Sequence, residues 1–188
     1  MWTIPNILTI ARILLLPVII GLFFIPDAWA AWLALGLYAV GAITDFVDGW
    51  IARTMNQTSA FGQFIDPIAD KIFVAGVLIT LAGFDRLPDF WIIPAIIILF
   101  REFLISGLRE FLGPQDVKLP VSKLAKWKTT VQMFALGFLI VGQHGVEVYP
   151  YTMETGWIGI SLAAVLTVVT GWDYMRVGLK YINEMDAK

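Results

Sequence analysis

The chain has 188 residues, of which 59% are hydrophobic and 15% are charged, and its mean hydropathy is +0.78. Both shares lie outside the usual range of soluble domains, so the composition predicts one integral membrane domain over residues 1–188, with no soluble second domain. The lack of cysteine excludes disulfides, thiolate metal sites and catalytic thiols, and the net charge of −2 predicts no nucleic-acid-binding surface.

Six apolar segments predict an all-α protein with six transmembrane helices, because each segment reaches the roughly 20 residues needed to cross a bilayer. The connectors are mostly short and are polar or contain proline or glycine, and the short connector TMNQTSAF predicts that the second and third helices are antiparallel neighbours. Turn and breaker residues place the six spans at about 5–25, 28–53, 61–83, 90–112, 121–143 and 156–180.

Basic residues predict the orientation of these helices. Six spans put both termini on one side, and the opposite side offers only Arg86 among the lysines and arginines. The positive-inside rule then makes both termini cytoplasmic. The basic residues at or near the ends and loops of the terminus-bearing side are Arg53, Arg109, Lys118, Lys123, Lys126, Lys128, Arg176, Lys180 and Lys188.

Two pairs of aspartates flank the connector between the second and third predicted helices. Asp45 and Asp48 are three residues apart, and Asp66 and Asp70 are four apart, so each pair lies on one helix face. Four carboxylates that converge near the cytoplasmic boundary would repel one another unless cations neutralise them. Oxygen donors without histidine or cysteine favour Mg²⁺ or Mn²⁺, with Ca²⁺ possible, and two such ions can clamp a phosphoryl group. The alternative is that the acids are ordinary solvated helix ends.

Small and basic residues accompany these acids. Gly49 follows Asp48, and Gly62 lies four residues before Asp66, so a bulky ligand could approach the backbone at both places. The alternative is close helix packing, which also favours glycine in membranes. The Arg53 guanidinium would suit a phosphate, and the alternative is a positive-inside anchor.

The fourth helix carries two arginines, Arg101 and Arg109, about 80° apart around the helix axis and two turns apart along it. Arg101 lies inside the span, where a buried arginine needs an anion. That anion would belong to a bound ligand or, in the alternative, would be the carboxylate of Glu102 or Glu110. Of the lysines at the start of the fifth span, Lys126 is the preferred phosphate-binding candidate.

The segment DFVDGWIARTMNQTSAFGQFIDPIAD resembles the signature of the CDP-alcohol phosphotransferases, D-x2-D-G-x2-A-R-x8-G-x3-D-x3-D. The resemblance implies a six-helix membrane enzyme, usually a homodimer, that transfers a phosphoryl-linked group from a CDP-linked donor to an alcohol and releases CMP. Every fixed position of the signature is matched, by Asp45, Asp48, Gly49, Ala52, Arg53, Gly62, Asp66 and Asp70.

The same resemblance implies roles for these residues. All four aspartates would be ligands of two divalent cations, Mg²⁺ or Mn²⁺, and Asp70 would also be the general base. The cytidine and diphosphate site would be lined by Gly49, Ala52, Arg53 and Gly62. Asn6 and Arg12 match the family's N-terminal segment and would border the site, unless Arg12 snorkels to the interface.

Three further segments, IPNILTIARILLLP, FREFLISGLREFLG and LAKWKTTVQM, resemble one branch of the family, the bacterial phosphatidylglycerophosphate synthases. This implies CDP-diacylglycerol as donor and glycerol 3-phosphate as acceptor, in the inner membrane with the site facing the cytoplasm. Arg101, Arg109 and Lys126 match the residues that bind the acceptor phosphate. The alternatives are a sister enzyme that uses inositol phosphate, inositol or serine, a cation or proton transporter, and a membrane scaffold without chemistry.

Overall fold

A computed structural model describes residues 3–54, 60–113 and 123–186, with side chains throughout except at 4–5, 45–54, 60, 63, 123 and 186. Within these ranges the helices are joined by short turns and no strand occurs, in agreement with the predicted all-α class. Short 3-10 turns lie at Asp89–Trp91 and Gly142–Gly145. The six α-helices are α1 Ile4–Phe23, α2 Ala28–Thr54, α3 Ala60–Gly83, α4 Ile92–Leu112, α5 Lys123–Val141 and α6 Thr152–Asp186.

Three of the described helical segments are long and apolar enough to cross a membrane: Asn6–Phe23, Asp89–Leu112 and Thr152–Met185. A shorter apolar helix covers Ala28–Thr44. Many large apolar side chains are exposed on the helices, including Phe100, Phe134 and Trp172. A soluble protein would bury most of them, whereas lipid contact leaves them without an energetic penalty. The chain is therefore a multi-pass membrane protein. That all six helices cross the membrane stays a prediction.

The first compact unit comprises Met1–Pro88 and Leu136–Gly156, and within it α1 packs against both α2 and α3. Glycine allows a close approach between α1 and α3, because a Cβ on Gly76 would lie 2.5 Å from Cδ2 of Leu16. Buried side chains such as Ile19, Leu78 and Leu81 fill the core of this unit. The helix order places α1 and α3 parallel, so residues near the start of one helix face residues near the start of the other.

The second unit comprises Asp89–Ala135 and Trp157–Lys188. Here α4 packs against α6 through a buried cluster of Ile105, Leu108, Leu112 and Tyr174. A Cβ on Gly178 would lie 2.6 Å from Cδ2 of Leu108, so glycine again permits a close approach of two helices. This packing places the α4 side chain of Arg101 beside Thr170 of α6.

Candidate active site

Two of the predicted carboxylates lie one turn apart near the start of α3. Asp66 is half-buried and the Asp70 side chain is 49% exposed, so both acids lie at the edge of the first unit rather than in its core. Gly62, one turn before Asp66, is buried. The predicted arrangement of Asp66 and Asp70 on one helix turn is therefore found in the structure.

Residues on α1 hold these carboxylates. The Thr9 hydroxyl donates a hydrogen bond of 2.7 Å to Oδ1 of Asp66. The Arg12 guanidinium forms an ion pair with Oδ1 of Asp70. Thr9 and Arg12 are 1% and 2% exposed, so both polar side chains are enclosed where they meet the acids. The Arg12 guanidinium therefore lies beside one of the acids and is enclosed by the protein.

The other predicted residues of the signature fall on α2. Their backbone continues the helix to Thr54, but their side chains lie outside the part of the chain that the structure describes. Among the described side chains, no group of three or more acids, histidines or cysteines could hold a metal ion. The described acids do provide carboxylate oxygens, the donor type of Mg²⁺ and Mn²⁺ sites. The α2 residues concerned are Asp45, Asp48, Gly49, Ala52 and Arg53.

The second unit places the two predicted arginines of α4 against α6. Arg101 has little solvent exposure, and its Nη2 lies 3.4 Å from Oγ1 of Thr170. The guanidinium carbons of Arg101 and Arg109 lie 5.6 and 5.1 Å from the centroid of the Tyr174 ring. These distances are within the range of cation–π contacts. One aromatic ring on α6 thus contacts both arginines.

A carboxylate also reaches Arg101, as the ion-pair alternative anticipates. Nη1 of Arg101 lies 3.4 Å from Oε1 of Glu102, and the same oxygen forms an ion pair with the Lys128 ammonium. Lys128 is buried, whereas Lys126, the lysine preferred from the sequence, is exposed. Glu102 is therefore shared by two cations, Arg101 and Lys128.

Sequence reasoning missed two residues at these places, Thr9 and Tyr174. Thr9 lies on the same face of α1 as Asn6 and Arg12, at a spacing of three residues, and all three are buried. A buried polar stripe on an otherwise apolar helix is a usable signal. Tyr174 gives no comparable signal, because a tyrosine in a membrane helix is common near its ends.

Comparison with known proteins gives a consistent assignment. The chain matches the family model for CDP-alcohol phosphatidyltransferase over residues 2–169. A protein of Rickettsia felis named CDP-diacylglycerol–glycerol-3-phosphate 3-phosphatidyltransferase is 48% identical, over 94% of this chain and 96% of its own length. A protein of the same name from Cereibacter sphaeroides is 40% identical, over 97% of this chain and 98% of its own length. Another, from Haemophilus influenzae, is 36% identical, over 94% of this chain and 93% of its own length.

Proposed function

The chain belongs to the CDP-alcohol phosphatidyltransferase family of enzymes, and we propose that it transfers the phosphatidyl group of CDP-diacylglycerol to glycerol 3-phosphate. The products are phosphatidylglycerophosphate and CMP. The observation that carries this proposal is the likeness, at 48% identity over 94% of the chain, to a protein named for that reaction.

The acids of α2 and α3 form the proposed metal centre. Two divalent cations, Mg²⁺ or Mn²⁺, neutralise charge on a diphosphate when bound. In support, Asp66 and Asp70 present carboxylates on consecutive turns of α3. The residues that would hold the two cations are Asp45, Asp48, Asp66 and Asp70.

Asp70 is the proposed general base. It would accept the proton of the primary hydroxyl of glycerol 3-phosphate while the hydroxyl oxygen forms a bond to the phosphorus on the diacylglycerol side. The bond from that phosphorus to the bridging oxygen breaks, and its electron pair leaves with CMP. The partial exposure of Asp70 supports this role, because the acceptor must reach the base from water.

The donor nucleotide would lie along the signature residues of α2 and α3. Gly62 is buried, and the lack of a side chain there would let the diphosphate approach the helix backbone. The Arg53 guanidinium would bind two oxygens of the donor diphosphate. The proposed set of CDP-binding residues is Gly49, Ala52, Arg53 and Gly62.

Arg101, Arg109 and Lys126 are the proposed ligands of the acceptor phosphate. Arg101 shares its carboxylate neighbour Glu102 with Lys128, so that single carboxylate serves two cations. An acceptor with its own phosphate complements such a group better than a neutral acceptor does. This favours glycerol 3-phosphate over inositol or serine and does not separate it from inositol phosphate.

The proposed setting is the inner membrane, with six spans, both termini and the active site on the cytoplasmic side, and two copies in a homodimer. The site position follows from solubility, since glycerol 3-phosphate and CMP are cytosolic while the acyl chains stay in the bilayer.

A parallel acceptor assay tests the reaction. Purified protein in detergent is given CDP-diacylglycerol, Mg²⁺ and one of four acceptors: glycerol 3-phosphate, inositol phosphate, inositol or serine. We expect CMP release with glycerol 3-phosphate alone, and loss of release with EDTA. Release with another acceptor would keep the family assignment and overturn the proposed roles of Arg101, Arg109 and Lys126.

A further inference from the structure

We propose that Thr9 and Arg12 of α1 are positioning residues that orient the Asp66 and Asp70 carboxylates for cation binding. This inference rests on the proposed metal centre. It concerns residues outside the eight-position signature, on a helix that carries none of the four acids. Thr9 would act through Asp66, and Arg12 would act through Asp70.

Thr9 makes a contact that differs from those of other threonines in this protein. Five threonines, Thr44, Thr80, Thr129, Thr130 and Thr170, donate to the carbonyl four residues earlier on their own helix. That local bond satisfies the hydroxyl in an apolar helix. Thr9 reaches across to another helix and donates to a carboxylate oxygen of Asp66. A hydroxyl bond to one oxygen restricts rotation of the carboxylate.

Arg12 has a similar relationship to the second acid. An enclosed arginine in a membrane helix is costly unless it is paired, and Asp70 forms an ion pair with it here. The guanidinium is planar and presents several N–H groups in a fixed fork, so it constrains a carboxylate more than an ammonium would. The contact also offsets part of the repulsion between neighbouring acids.

The register of α1 against α3 places these contacts. Thr9 meets Asp66, Arg12 meets Asp70, and further along the two helices Leu16 meets Gly76. The pairs advance in the same direction on both helices, so one parallel interface aligns both contacts. The close approach at Gly76 fixes the helix separation from which Thr9 and Arg12 reach the acids.

A direct cation-binding measurement tests this role without depending on turnover. Mn²⁺ is titrated into the substrate-free protein in detergent, and the free ion is measured by its electron paramagnetic resonance signal. Thr9→Val removes the hydroxyl at nearly constant volume, and we expect Mn²⁺ affinity to fall about 10-fold or more, the usual effect of losing a contact to a metal ligand. Thr9→Ser, which keeps the hydroxyl, should bind nearly as well as the wild type.

The matched control is Thr80→Val. Thr80 is buried on α3, and its hydroxyl donates to the Gly76 carbonyl rather than to an acid. This variant should keep wild-type Mn²⁺ affinity. Equal affinities of Thr9→Val, Thr80→Val and the wild type would overturn the inference, and circular dichroism with thermal melting checks that each variant is folded.

Arg12→Lys distinguishes the orientation of the Asp70 carboxylate from the effect of charge alone. The variant keeps the positive charge and loses the planar set of guanidinium N–H groups. We expect weaker Mn²⁺ binding. Tighter binding would mean that Arg12 competes with the cation for Asp70, and it would overturn the positioning role of Arg12. Absence of saturable Mn²⁺ binding by the wild-type protein would instead overturn the proposed metal centre itself, and the inference with it.

Discussion

The guanidinium carbon of Arg109 lies 5.1 Å from the centroid of the Tyr174 ring. Arg101, two turns earlier on α4, lies 5.6 Å from the same centroid. Tyr174 is itself buried in the cluster of Ile105, Leu108 and Leu112, so the ring is fixed by packing. A rigid aromatic surface on α6 therefore sets the positions of two cations on α4.

Replacing this ring should weaken acceptor binding selectively. Tyr174→Leu removes both cation–π contacts, each worth about 0.5–1 kcal/mol, so we expect KM for glycerol 3-phosphate to rise about 5- to 30-fold. Tyr174→Phe keeps the ring and should have a smaller effect. Steady-state kinetics with each substrate varied in turn measures the change. An equal rise in KM for CDP-diacylglycerol would contradict a role confined to the acceptor.

Lys126 and Lys128 should differ in what their loss affects. Lys128→Met leaves Glu102 without its buried partner, and we expect the free energy of unfolding to fall by up to about 3 kcal/mol, the low end for a broken buried pair because Glu102 is 28% exposed. Lys126→Met should leave stability unchanged and raise KM for glycerol 3-phosphate. Thermal melting in detergent and acceptor kinetics distinguish the two effects.

A double variant checks the reason for the Lys128 effect. Glu102→Gln in the Lys128→Met background should recover part of the lost stability, because the carboxylate that lost its Lys128 partner is gone. If the changes in the free energy of unfolding caused by Lys128→Met and by Glu102→Gln simply add in the double variant, loss of the Lys128–Glu102 contact is not the cause of the Lys128→Met effect.

Gly142 should not tolerate a side chain. Its φ of +57° lies in the left-handed region, and a Cβ there would also meet the Arg86 guanidinium, whose pKa is lowered by burial. The end of a flexible arginine can move, so the backbone conformation supplies most of the cost. We expect Gly142→Ala to lower the free energy of unfolding by about 1–2 kcal/mol.

Gly36→Ala is the matched control for Gly142. Gly36 lies within α2, and a Cβ there would meet no atom within 4 Å. This substitution should leave stability unchanged or raise it by about 0.5–1 kcal/mol, the usual gain for alanine in a helix. Equal melting temperatures for the two alanine variants would contradict the argument from φ.

Asp70→Asn tests the general base. Loss of such a base typically lowers kcat about 10²–10⁴-fold, so the variant should lose most turnover while keeping its affinity for CDP-diacylglycerol largely intact. Asp27→Asn, in the exposed connector before α2, is the control and should retain wild-type kcat. Full activity of Asp70→Asn would refute the role.

The helices were largely predictable because apolar segments and breaker residues mark their ends. α1, α2 and α3 begin and end within two residues of the prediction. α6 is the exception: it runs Thr152–Asp186 rather than over the predicted 156–180. Its 35 residues span about 52 Å, more than the hydrocarbon core, and hydropathy does not reveal helix that continues into water.

Contacts within the site were less predictable, since they depend on how each helix is rotated. Lys126 and Lys128 are separated by about 200° around α5, so only one of them can face Glu102, and the sequence does not indicate which. The spacing of Asp66 and Asp70 fixed their shared helix face. Their partners Thr9 and Arg12 lie 57 and 58 residues earlier in the chain. Both contacts depend on the register of α1 against α3, which the sequence does not indicate.

The most direct test of the proposed reaction is product stoichiometry. Purified protein receives CDP-diacylglycerol, radiolabelled glycerol 3-phosphate and Mg²⁺, and both the CMP released and the label extracted into lipid are measured. The account predicts one labelled lipid per CMP, with neither product formed when EDTA is present. CMP release without label in the lipid fraction would contradict it, because the phosphatidyl group would then be going to a different acceptor.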